Sequence, residues 1–260
     1  MKMYKIKHDP FHEVKTHLIQ RHHEWLEKND THDLYQMFYQ ASRLERLLNL
    51  TRDIRGRVLD VGCFDGYVAK KILDQGHKEV FGMDRLEKAL ERAAARGIKT
   101  KLGDIDDAVI DFPDNYFDGI IMGEVLDYVF DPDAVIAEVR RTLKPRGKLI
   151  ITVPNLVGLN NRVRVLFGRP PYSLDVRPRQ GGYWRYFTFR TLERLLIDQK
   201  FKIVVTESNA VAYPLFTIPG IRKLFPGDQL ERRRIFYSVL LARIFPTLGE
   251  NIIVLAEKDQ

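Results

Sequence analysis

The chain has 260 residues, 45% of them apolar, with 42 Lys and Arg against 35 Asp and Glu and a formal net charge of +7. That apolar share can bury a sizeable core, and the length suits one α/β domain with additions better than two independent domains. The single cysteine, Cys63, excludes an intrachain disulfide and a thiolate zinc cluster; with no apolar stretch long enough to span a bilayer and no signal core after the basic start, a cytoplasmic protein is expected.

Taken in chain order, His12 to Leu50 reads as helix, broken near Asn29-Asp30-Thr31, with Trp25, Leu26, Leu34, Met37, Phe38, Leu44, Leu47 and Leu48 as its apolar stripes. From Arg57 the pattern changes to short apolar runs alternating with helical segments. Val58–Val61, Glu79–Met83, Ile98–Leu102, Phe117–Met122 and Leu149–Val153 read as strands. Tyr67–Leu73 and Leu86–Arg96 read as helices, and Asp131-Pro132 opens another, with Asp as cap and Pro at the first helical position. Lys144-Pro145-Arg146-Gly147 is expected to end that helix. Asn155 to Gly182 looks irregular. Thr188 opens a helix to Asp198, Phe201–Thr206 is a strand, residues 210–245 form an irregular insertion with one helical piece over Ile235–Ile244, and Asn251–Ala256 is a final strand. Such alternation predicts a doubly wound α/β fold with a mostly parallel sheet. Residues 1–52 are then a helical extension or lid on a domain spanning 53–260, which carries insertions at about 155–187 and 210–248.

The chemistry concentrates at Arg57-Val-Leu-Asp-Val-Gly-Cys-Phe-Asp-Gly66. A buried strand leads to Asp60, then to glycines at 62 and 66, then to a helix, and the carboxyl edge of a parallel sheet is where such folds bind ligands. A dinucleotide site needs Gly-x-Gly-x-x-Gly, but Phe64 and Tyr67 stand where the second and third glycines belong, which disfavours a nicotinamide dehydrogenase. S-adenosylmethionine carries no phosphate and needs no such cradle, and its ammonium and sulfonium suit nearby carboxylates. Asp84, after the second strand, can take both ribose hydroxyls; Asp104, after the third, can accept from the adenine amine while Ile105 packs on the ring.

These runs, with Phe117-Asp-Gly-Ile-Ile-Met-Gly-Glu-Val-Leu126 and Leu143-Lys-Pro-Arg-Gly-Lys-Leu149, resemble the class I S-adenosylmethionine-dependent methyltransferases, and within them the type 11 and methionine-biosynthesis W-like subgroup. The resemblance covers about residues 57–206. It implies a seven-stranded sheet whose last strand is antiparallel and a cofactor site including Asp60, Gly62, Asp65, Gly66, Asp84, Arg85, Asp104, Ile105 and Glu124. The chain departs from the pattern at Phe64, where the middle glycine is usual; a negative φ is expected there, with the bend at Gly62 and Gly66. It departs again at Asp127-Tyr128, where Glu-His is common, and at Tyr183-Trp184.

On the acceptor side, Tyr128, Asp127 and Tyr183 are weak catalytic candidates, since in-line methyl transfer needs a base only when the acceptor loses a proton. Residues 155–260 carry 17 basic against 9 acidic side chains, whereas residues 1–154 carry 25 against 26. Arg164, Arg169 and Arg185 are therefore expected to bind a small, anionic acceptor, with O-methylation favoured. No nucleic-acid module is recognisable. Tyr35, Tyr39 and Arg43 form either a lid or a packing face, and His22 and His23 read as surface residues. Arg232-Arg233-Arg234 followed by Ile235–Phe245 either lies on an anionic membrane surface or packs as a buried helix or homodimer contact. The competing function is a cofactor-binding, non-catalytic or regulatory partner subunit of a biosynthetic enzyme.

Overall fold

A computed structural model describes residue 24 and residues 38–76, 79–174, 185–212 and 228–259. Helix α1 (Phe38–Thr51) precedes β1 (Arg57–Val61), α2 (Tyr67–Leu73), β2 (Glu79–Asp84), α3 (Glu87–Ala95) and β3 (Lys99–Leu102). These are followed by β4 (Phe117–Gly123), α4 (Pro132–Thr142), β5 (Leu143–Pro154), α5 (Leu159–Leu166), α6 (Phe189–Asp198), β6 (Phe201–Ser208), α7 (Asp228–Ile244) and β7 (Asn251–Lys258).

The seven strands form one sheet in the order β3-β2-β1-β4-β5-β7-β6. The first five pair in parallel, and β7 runs antiparallel to both β5 and β6. This is the doubly wound sheet the alternating pattern predicts. Its strand order reverses between β1 and β4, which opens a crevice at the carboxyl ends there. Side chains alternate across each strand. Leu59 and Val61 pack with Val135, Val139 and Leu192 of α4 and α6. Val58 packs on the opposite face with Leu47, Ala69, Ile72 and Ala93 of α1, α2 and α3. Asp60 therefore shares the face of Val58, toward α1 and α2.

Local chemistry fixes the helix starts. Asp131 accepts from Ala134 N at 3.1 Å, and Thr188 and Thr191 form a reciprocal capping box at α6.

Three expectations need correction. Lys144–Gly147 ends no helix, because α4 already stops at Thr142; these residues lie inside β5 as an irregularity between the pairs Phe117–Leu143 and Gly119–Lys148. Residues 159–166, read as loop, form α5, a short helix set in an Asn-, Arg- and Gly-rich stretch, and it buries no residue. Helix α7 begins seven residues before the expected Ile235, at Asp228. Tyr183, Trp184, His22, His23 and Tyr35 lie outside the described residues. Among the described residues, no helix is long and apolar enough to cross a membrane.

Candidate functional site

The carboxyl ends of β1 to β4 open into a cavity of about 560 Å³, with walls from Asp60, Gly62, Asp65, Asp84, Arg85, Asp104, Ile105, Glu124 and Tyr128. Helix α1 adds Arg43, Leu44 and Leu47. Backbone geometry brings the walls together. Gly62 has φ 70°, and a Cβ there would stand 2.3 Å from Val125 Cγ2, so only glycine lets the bend pass under the β4 loop. Gly66 has φ 75° and opens α2; it is not part of the wall, and its missing Cβ lets Ala93 of α3 approach.

Phe64 overturns the expected negative φ. It sits in the left-handed region at φ 51°, where a non-glycine residue is strained by about 1 kcal/mol. Two contacts offset the strain. Its ring packs on buried Leu86 and Ala89, and its N–H donates to Asp84 Oδ2 at 2.8 Å.

The carboxylates differ in how their oxygens are engaged. Asp84 accepts from Phe64 N on one oxygen and from Leu86 N at 2.9 Å on the other. Burial raises its pKa, partly countered by those two N–H groups and by the charge and N–H of Arg85. Asp60 is buried, and its Oδ2 has no hydrogen-bond partner among the described residues. Its carboxyl is pushed up to about 7, first by burial and then by the charge of Asp84; Arg43 and the Ala69 N–H pull the other way. Asp104 Oδ1 accepts from Asp106 N at 3.0 Å, and Oδ2 lies 4.0 Å from Arg85. Asp65 is committed to structure: it accepts from Tyr67 N at 3.1 Å and pairs with Arg96 at 3.0 Å.

A polar network that sequence reading missed backs the opposite wall. Arg43, nearly buried, donates to Thr152 Oγ1 at 2.9 Å and Gln40 Oε1 at 3.0 Å, and lies 3.5 Å from Glu124. Glu124 has φ 57° and accepts from Asn251 Nδ2 at 2.7 Å; Asn251 in turn receives Asn209 Nδ2 at 2.9 Å. Strand-end asparagines at 209 and 251 carry no sequence signal, since their partners lie 42 to 127 positions away.

The acceptor-side candidates divide. Tyr128 lies in the wall. Asp127 does not; it is buried, neither carboxyl oxygen has a hydrogen-bond partner among the described residues, and burial, reinforced by the charge of Glu124, raises its pKa well above the usual range. Arg164, Arg169 and Arg185 are all outside the wall. The Arg164 guanidinium donates to Pro170 O at 2.8 Å and lies 3.9 Å over the Tyr172 ring. Arg185 donates through Nε to Phe130 O at 3.0 Å and through its backbone to Asp127 O at 3.0 Å, so it braces the loop that carries Tyr128.

Residues 59–151 match the family model described as a methyltransferase domain. A ubiquinone biosynthesis O-methyltransferase of Neisseria meningitidis serogroup C is 32% identical over 110 residues, 40% of this chain and 46% of that protein. The ubiquinone/menaquinone biosynthesis C-methyltransferase UbiE of Cupriavidus metallidurans is 35% identical over 101 residues, 36% and 42% of the two chains. This chain spans about half the length of the curated relatives it matches. Among solved structures, an S-adenosylmethionine-dependent methyltransferase from Mesorhizobium loti superposes with a TM-score of 0.58 over 82% of this chain and 96% of its own, at 20% identity. That likeness is one of fold.

Proposed function

We propose that the chain is an S-adenosylmethionine-dependent methyltransferase acting on an oxygen of a small, anionic acceptor. The observation that carries this reading is the convergence of Asp60, Asp84 and Asp104, from three successive strands, on one cavity behind the Gly62 bend. The residues present fit the cofactor. The cavity volume lies within the usual range for such ligands, Asp84 lines it, and Asp60 holds a buried oxygen with no hydrogen-bond partner among the described residues. When bound, the cofactor supplies an activated methyl group on a sulfonium.

Each residue's part follows from its chemistry. Asp84 accepts from two vicinal hydroxyls, Asp104 from an exocyclic amine, and Ile105 packs on the adenine plane. Asp60 attracts the ammonium end, while Arg43, a cation in the same wall, attracts the carboxylate. Leu44, Leu47 and Val125 help keep that end dry, which strengthens each charged contact. Tyr128 is the side chain assigned to the acceptor. Asp127, its neighbour in sequence, is held toward the protonated form, so it can donate a hydrogen bond but is a poor base while protonated. Orientation in a dry site carries most of the rate.

Oxygen as the target rests on the Neisseria relative, and the anionic acceptor on the overall basic excess beyond residue 154, not on Arg164, Arg169 or Arg185, which lie outside the cavity wall. The test is transfer of a labelled methyl group from S-adenosylmethionine to a panel of phenolic and phosphorylated alcohols. Turnover with an acidic alcohol is expected. Binding of the cofactor with no turnover on any acceptor would instead favour a non-catalytic partner subunit.

A further inference from the structure

We infer that the end of α5 and the outer face of α7 form a surface that docks on an anionic lipid bilayer. Helix α5 stands on the protein without burying a residue. At its end Leu166 and Phe167 are 79% and 75% exposed, beside exposed Val165, and the chain turns back at Gly168 toward exposed Tyr172 and Leu174. Arg162, Arg164 and Arg169 surround this apolar tip in sequence, and Arg164 stacks on Tyr172 at its base. Helix α7 turns buried Ser238 and Ala242 inward and leaves Phe236, Tyr237, Leu240 and Ile244 outward, with exposed Phe245 just after it; Phe236 and Ile244 are 62% and 57% exposed. The spacing 236, 240, 244 is one helical stripe. Arg162 Nη2 donates to Thr247 O at 3.2 Å, which joins the root of α5 to the end of α7.

The occupant follows from charge. Clustered exposed apolar side chains mark an interaction site, and here they sit in the segment with 17 basic against 9 acidic residues. A second copy of the chain, docked symmetrically, would bring like-charged arginines together. An anionic bilayer accepts the apolar side chains among its acyl chains and the guanidinium groups among its headgroups. This surface is independent of what the cavity binds.

Flotation of the full chain with mixed phosphatidylcholine–phosphatidylglycerol vesicles, against pure phosphatidylcholine, tests it. The wild-type chain is expected to float with the anionic vesicles only, less so as salt is raised. L166D/F167D and F236D/I244D alter exposed positions, and unchanged melting and S-adenosylhomocysteine binding would verify their folds. Each pair is expected to cut the bound fraction about tenfold. No flotation of the wild type, equal flotation with neutral vesicles, or retention of binding by either pair would overturn the proposal. So would a wild-type dimer that L166D/F167D converts to monomer without any vesicle binding.

Discussion

Phe64 and Asp84 hold each other in place: the left-handed bend at Phe64 points its N–H at Asp84 Oδ2, 2.8 Å away, and the same carboxylate pins Leu86 N at the start of α3. A strained residue and a ligand-facing carboxylate are thus one unit. Comparing F64A with F64G isolates the strain, because both remove the ring but only glycine is at ease at φ 51°. F64G should be more stable than F64A by about 1 kcal/mol in urea denaturation. Equal stability, or a more stable F64A, would mean the backbone there is not left-handed.

The raised pKa of Asp60 makes both stability and cofactor binding depend on pH. Its carboxyl titrates near 3.8 when exposed and at about 7 when folded. Between these values the folded chain holds more protons than the unfolded one, so stability falls as pH rises through the window and levels off above it. A cation beside Asp60 favours the carboxylate, so S-adenosylhomocysteine affinity should increase roughly tenfold from pH 6 to pH 8. D60N should bind weakly with a flat profile. Calorimetric titrations across that range decide the matter, and a wild-type profile as flat as that of D60N counts against the assignment.

Arg43 links α1 to the β4 and β5 ends through Glu124 and Thr152. Replacing it with Met leaves Glu124 without its cation. Since Glu124 is a quarter exposed, the cost should sit below that of a fully buried pair, about 2 kcal/mol. R43M should also weaken S-adenosylmethionine binding by about tenfold while leaving decarboxylated S-adenosylmethionine almost unaffected. An equal loss with both ligands would remove Arg43 from the carboxylate subsite.

Arg185 braces the Tyr128 loop from outside the cavity, by way of Phe130 O and Asp127 O. R185A keeps the backbone bond to Asp127 O but loses the side-chain bond to Phe130 O, and should raise the acceptor KM several-fold with little change in cofactor affinity, since its contacts lie on the acceptor side; about 1 kcal/mol is at stake for such an exposed bond. A selective loss of cofactor affinity would contradict this placement.

How much the sequence disclosed depends on the range of the contacts. Strand-then-helix alternation is a local signal, and it located the parallel core and the carboxylates at 60, 84 and 104. The strand-end glycine pattern did the same for Gly62. Phe64 defied it, because the strain is offset by Leu86, Ala89 and Asp84, some twenty positions away, which no local rule encodes. Helix α5 stayed hidden although Leu159, Val163 and Leu166 stand at helical spacing, because it is only eight residues long and lies in a stretch rich in Asn, Arg, Gly and Pro that reads as loop. The Arg43–Glu124–Asn251–Asn209 network is assembled from four distant segments and exists only once the sheet has formed. Likewise the basic residues at 164, 169 and 185 lie outside the cavity wall, and those at 164 and 185 point their guanidinium groups at local carbonyls.

Direct titration of S-adenosylhomocysteine into the purified chain, alongside D84A, probes the adenosyl site without needing the acceptor. One molecule should bind per chain in the micromolar range, and D84A should lose at least about tenfold through the missing ribose contacts. No detectable heat at millimolar ligand, or D84A binding as tightly as wild type, would contradict the account.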